Sequence, residues 1–116
     1  MRVRLNNPSI CIDDTDFSGG AAWVVVHRCA PGADGWDMEI RPAAPGNALH
    51  RTLLLGRNSP EPLLIRVSDT VRWFQGPVRV SSMGPGSLSV ACMAMGPLRS
   101  ILSVESFVGA KRRHRA

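Results

Sequence analysis

The chain has 116 residues, 44% of them hydrophobic and 20% charged, with a formal net charge of +5. That length supports one domain around a single core, and that hydrophobic fraction excludes a chain too polar to fold. No apolar run approaches the ~20 residues that a membrane-crossing helix needs, and the opening Met-Arg-Val-Arg-Leu-Asn-Asn-Pro lacks the apolar stretch of a secretory signal.

Arg2–Leu5 alternates charged and apolar residues, which predicts a first, edge strand ended by Asn6-Asn7-Pro8. Ser9–Ile12 predicts a second short strand, and Asp13-Asp14-Thr15-Asp16 with Gly19-Gly20 predicts a polar loop. Trp23, Val24, Val25 and Val26 stand in a row within Ala21–Cys29, the pattern of a strand covered on both faces. After the turn Pro31–Gly35, Trp36, Met38 and Ile40 alternate with Asp37, Glu39 and Arg41; this is the clearest half-buried strand. Pro42–Asn47 reads as a loop. Ala48–Leu55 reads as another strand, with a short helix as the alternative because Leu53, Leu54 and Leu55 carry no clear period.

Gly76-Pro77, Gly84-Pro85 and Gly96-Pro97 then cut residues 63 to 108 into short apolar, β-branched runs. The runs are Leu63–Val67, Val71–Gln75, Val78–Ser82, Leu88–Met95 and Leu98–Val108. Gly and Pro interrupt them before a helix could complete three turns, so an antiparallel meander is predicted. A two-residue loop at Gly76-Pro77 sets Phe74 opposite Arg79 and Trp73 opposite Val80, with a cation–π contact between Phe74 and Arg79. The expectation is an all-β fold, an antiparallel sandwich or jelly-roll-like barrel of 8–10 short strands over residues 1–108. Residues 109–116 are expected to form a basic, unstructured tail. Lys111, Arg112, Arg113 and Arg115 carry four of the five net charges, which leaves +1 on residues 1–110.

Little in the sequence matches known reaction chemistry. Cys11, Cys29 and Cys92 are too few and too scattered for a disulfide framework, and read as reduced, mostly buried thiols. The acidic cluster Asp13–Asp16 lacks the Gly and terminal Glu of a calcium loop. His27 and Cys29 share one side of a strand, but without a Cys-x-x-Cys pair they do not begin a zinc site. No Gly-x-Ser-x-Gly elbow and no Gly-rich strand-to-helix loop occurs. No enzyme, metal or cofactor is therefore expected. The tail can neutralise about four phosphates, or can serve as an exposed, solubilising terminus.

With its meander over Leu63–Val108 and its small size, the chain resembles the all-β accessory proteins of tailed-bacteriophage virions, such as head-decoration, neck or tail components. That resemblance implies a trimer or higher symmetric oligomer in the virion, made in the host cytoplasm, that bridges neighbouring capsid or tail subunits through strand edges and terminal arms. The candidate interaction residues are Arg2, Arg4, Trp23, Arg72, Phe74 and Arg79 on the body, and Lys111, Arg112, Arg113 and Arg115 on the tail. The alternative is a small nucleic-acid-associated protein that holds phosphates through that tail.

Overall fold

The computed structural model describes residues 2–28, 35–83 and 88–101. They form nine strands and one helix: β1 (Arg2–Asn6), β2 (Ser9–Ile12), β3 (Thr15–Asp16), β4 (Ala21–Arg28), β5 (Trp36–Pro42), α1 (Ala48–Gly56), β6 (Leu63–Ser68), β7 (Trp73–Met83), β8 (Val90–Ala94) and β9 (Arg99–Ile101). All pairings are antiparallel, in the order β1-β4-β5-β8-β7-β6-β2-β3, with β9 alongside the first half of β7. The all-β expectation holds, and the body is sandwich-like.

Chain connectivity forces the sheet to fold over. β1 begins the strand order and β2 stands seventh, yet only Asn7 and Pro8 join them. Asn7 turns the corner in the left-handed region (φ 47°) and donates its N–H to the Ala22 carbonyl at 2.9 Å. The opposite ends of the sheet therefore share one core. Leu5 of β1, Val24 and Val26 of β4, Met38 and Ile40 of β5, Ile65 and Val67 of β6, Phe74 and Val78 of β7 and Val90 of β8 are all buried in one cluster. The alternation read over Trp36–Arg41 is the one observed, with Trp36, Met38 and Ile40 inside.

Four local expectations are corrected. First, Gly76-Pro77 is not a loop: β7 runs straight through it, pairing Ile65 with Gly76 and Leu64 with Pro77. Proline is tolerated because its nitrogen points to the β8 side, where the Pro77 carbonyl accepts from Met95 and the partner strand breaks between Ala94 and Arg99. The reversal lies instead at residues 69–72, where Asp69 Oδ1 accepts the backbone N–H groups of Val71 (2.9 Å) and Arg72 (2.7 Å). Second, the facing of Phe74 by Arg79 and of Trp73 by Val80 disappears with that loop, because all four lie on one strand. Third, Thr15–Asp16 is strand rather than loop; Asp13 and Asp14, both at positive φ, close a two-residue hairpin with β2.

Fourth, Ala48–Leu55 resolves as helix. Asn47 caps it, accepting the His50 N–H at 2.8 Å and donating Nδ2 to the Gly20 carbonyl at 3.0 Å. Leu49 and Leu53, four apart on one helical face, enter the core, whereas Leu54 and Leu55 stay exposed. The last predicted strand is described only over Arg99–Ile101. Its remainder to Val108, the tail, Cys29, and the turn Pro31–Asp34 lie outside the described residues.

Candidate interaction surface

Arg2, Arg4 and Asn6 alternate with Leu5 on β1, so all three point outward. Register then places them beside particular partners. Arg2 pairs with His27 and Asp37 across β4 and β5, Arg4 with Val25 and Glu39, and Asn6 with Trp23 and Arg41. The outer face of these three strands is thus a grid with acids on the β5 side of two rows and cations on the β1 side.

At the Asn6 end the grid is basic and aromatic. The Arg4 guanidinium lies over the Trp23 ring, 5.0 Å from its centroid, and Arg4 Nε donates to Asn6 Oδ1 at 3.1 Å. The Arg4 carbonyl accepts from Arg72 Nη2 at 3.3 Å, and Arg72 is itself held by Asp69 Oδ2 at 2.9 Å. Burial works against ionisation of Asp69, but the Val71 N–H, the Arg72 side chain and the Arg72 N–H outweigh it and hold its carboxyl below the usual 3.8. Four of the candidate residues, Arg2, Arg4, Trp23 and Arg72, therefore gather at β1, although Trp23 and Arg72 lie far from that strand along the chain.

The opposite end of the grid holds His27 Nδ1 3.6 Å from Asp37 Oδ2, both about half exposed, an ion pair only when His27 is protonated. Such an exposed pair contributes at most ~1 kcal/mol. Val25 is 6% exposed on this outer face, beneath the open recess that Arg2, His27, Asp37 and Glu39 line with it.

A second outer-face feature crosses β6, β7 and β8. Leu64 pairs with Pro77, whose carbonyl accepts from Met95; Met93 follows two residues away on the same face and pairs with Arg79. Leu64, Met93 and Met95 are 42%, 51% and 46% exposed. Arg79 Nη2 donates to the Pro60 carbonyl at 3.1 Å, so this nominated residue borders the apolar stripe and not the β1 corner. At the stripe's end, Gly35, Trp36, Met93, Ala94, Gly96 and Pro97 line an open cleft of about 570 Å³.

Phe74, also nominated, has 0% exposure and belongs to the core. Reading β7 as one strand reverses its face, since Phe74, Gly76, Val78 and Val80 then all point inward. The sequence reading missed Asn6 and Arg41 at the basic corner, and Leu64, Met93 and Met95 in the stripe. A signal for the stripe was present: Met93 and Met95 fall on alternate positions opposite the buried Cys92.

The thiols differ. Burial pushes the Cys92 thiol up to about 12, whereas Cys11 is half-buried, 3.6 Å from Arg66 Nη2 and 3.9 Å from Asp16 Oδ1. Among the described residues, no three His, Cys, Asp or Glu side chains converge as metal ligands, and no helix is long and apolar enough to cross a membrane. Comparison with protein-family models, with curated proteins and with solved structures finds no match.

Proposed function

We propose that this chain is a non-enzymatic structural protein that works by assembling with copies of itself, in the setting its resemblance implies: a tailed-phage virion, where it would bridge neighbouring capsid or tail subunits. The observation that carries this reading is the exposed apolar stripe of Leu64, Pro77, Met93 and Met95 across three consecutive strands. An apolar centre with a polar rim is the anatomy of an assembly surface. Methionine adapts its shape to a partner at little cost. The rim carries both signs, Arg66 and Arg79 against Asp37, so two symmetry-related copies can match charge with charge.

Size-exclusion chromatography with light scattering tests it. The expected result is a trimer or higher ring that Leu64→Asp with Met95→Asp converts to a folded monomer. Both side chains lie outside the buried core cluster, and an unchanged thermal midpoint checks that the variant folds. A wild-type chain that stays monomeric at high concentration overturns the reading.

A further inference from the structure

The basic corner of the β1–β4–β5 face has a feature the assembly stripe lacks: an indole set among arginines that make no ion pair among the described residues. Arg4 is fixed from two sides, by the Trp23 ring and by Asn6 Oδ1 at its Nε, while its Nη atoms have no acceptor among the described residues. Arg41 stands across β4 from Asn6, beside Trp23, and its side chain has no hydrogen bond or ion pair among the described residues. Arg2 lies two residues along β1 on the same face. Arg72 is different, since Asp69 neutralises it; its bond to the Arg4 carbonyl positions β1 and leaves the Arg4 head free.

The geometry points to a phosphate-recognition site formed by Arg4 and Arg41 around Trp23, with Arg2 beside it, that takes the phosphodiester backbone of a nucleic acid without regard to its sequence. A guanidinium stacked on an indole has already lost most of its rotational freedom, and it presents its outer N–H fork for two parallel bonds to a phosphate. Two strand spacings and a two-residue offset put the Arg4 and Arg41 Cα atoms roughly 12 Å apart, so their long side chains can reach successive groups of an extended polyanion. The corner is an exposed sheet face, which suits backbone contact rather than readout of a base edge. A polyanion also fits the remaining charge, because Lys111, Arg112, Arg113 and Arg115 add four cations to the same chain. The site lies on β1, β4 and β5, away from the Leu64–Met95 stripe, and it stands whether or not the chain assembles.

The test is fluorescence titration of a labelled oligothymidylate with the full-length chain, in which Lys111, Arg112, Arg113 and Arg115 are replaced by Gln to isolate the body. Binding should persist and weaken with salt. Adding Arg4→Gln and Arg41→Gln should lower affinity about tenfold at low salt and flatten the log–log salt slope by roughly 1.4, or about 0.7 per lost phosphate contact. Arg4→Lys, which keeps the charge, should retain the slope. Unchanged thermal midpoints would show that the variants fold.

The proposal is overturned if the tail-neutral chain does not bind, or if Arg4→Gln with Arg41→Gln leaves affinity and slope unchanged. Polyglutamate binding as tightly, with the same losses, also overturns it by making the partner an acidic protein. So does pyrophosphate binding more tightly than the oligonucleotide, which would make the ligand a free phosphate.

Discussion

Trp36 Nε1 donates to the Gly96 carbonyl at 2.8 Å, and the same indole lies so close over Gly76 that a Cβ there would stand 2.4 Å from its Cζ2. One side chain of β5 thus covers the place where β8 stops and β9 begins alongside β7. Gly96 in turn meets the Pro77 ring, where a Cβ would come within 2.7 Å. Two of the three Gly-Pro pairs pack together at this seam.

Gly76→Ala should therefore destabilise the fold by about 2 kcal/mol, because the methyl must displace a ring packed in the core. Trp36→Phe keeps most of the apolar contact but leaves the Gly96 carbonyl without its donor, at a cost of about 1–2 kcal/mol. Urea denaturation midpoints measure both. A Gly76→Ala chain as stable as wild type would mean that the seam is loosely packed.

Asp69 ties the β6–β7 turn to β1 through Arg72. Its folded-state pKa is depressed, so it contributes stability that is present above its ordinary value of 3.8 and is lost as pH falls through the lower folded value. Asp69→Asn should cost about 1 kcal/mol at neutral pH, since it weakens charge-assisted bonds at a partly buried carboxylate. The gap between variant and wild type should close in acid below that point. Parallel urea titrations at neutral and acid pH give the comparison, and a gap that widens in acid contradicts the assignment.

Cys11 and Cys92 should separate by reactivity. A half-buried Cys11 thiol reacts with a disulfide reagent in the native protein, whereas Cys92 reacts only as the protein unfolds, which mass mapping of labelled peptides can follow. Cys92 also has a pH signature. Its folded pKa is raised from 9.0 to about 12, so its contribution is complete below 9 and is lost as pH rises from there toward 12. Cys92→Ala should remove that alkaline loss, while costing stability at neutral pH through the cavity it leaves.

Asn47→Ala removes two bonds at once, the cap on His50 and the tie to the Gly20 carbonyl, and should cost about 1–2 kcal/mol. Asn47→Asp keeps the acceptor and loses only the donor, so it should fall between alanine and wild type in a thermal melt. An alanine variant that melts with wild type would show that Leu49 and Leu53 alone seat the helix.

The sequence made the strands legible wherever one face is wet and the other dry. Trp36–Arg41 alternates cleanly and is a strand with those faces, whereas Leu63–Ser68 places an apolar Leu64 on its wet face. It misled at Gly76-Pro77, because a proline's effect in a strand depends on what lies across from its missing N–H. The gap between β8 and β9 is visible only once the chain has folded. That single error turned Phe74 from core to surface. The residues of the β1 corner show the same division: Arg4 and Trp23 could be singled out in the chain, but Arg41 looked like one more solvent-facing residue of an alternating strand.

Composition and local patterning alone determined a β-rich fold and the concentration of basic charge in residues 111–115, because hydrophobic spacing and charge are properties of the chain itself. Tertiary structure decided which residues face each other. The register that pairs Asn6 with Trp23 and Trp23 with Arg41 depends on strands far apart in sequence, and so does the fold-over that brings Arg72 to β1. Those contacts follow from burying one shared core, which no short window of sequence contains.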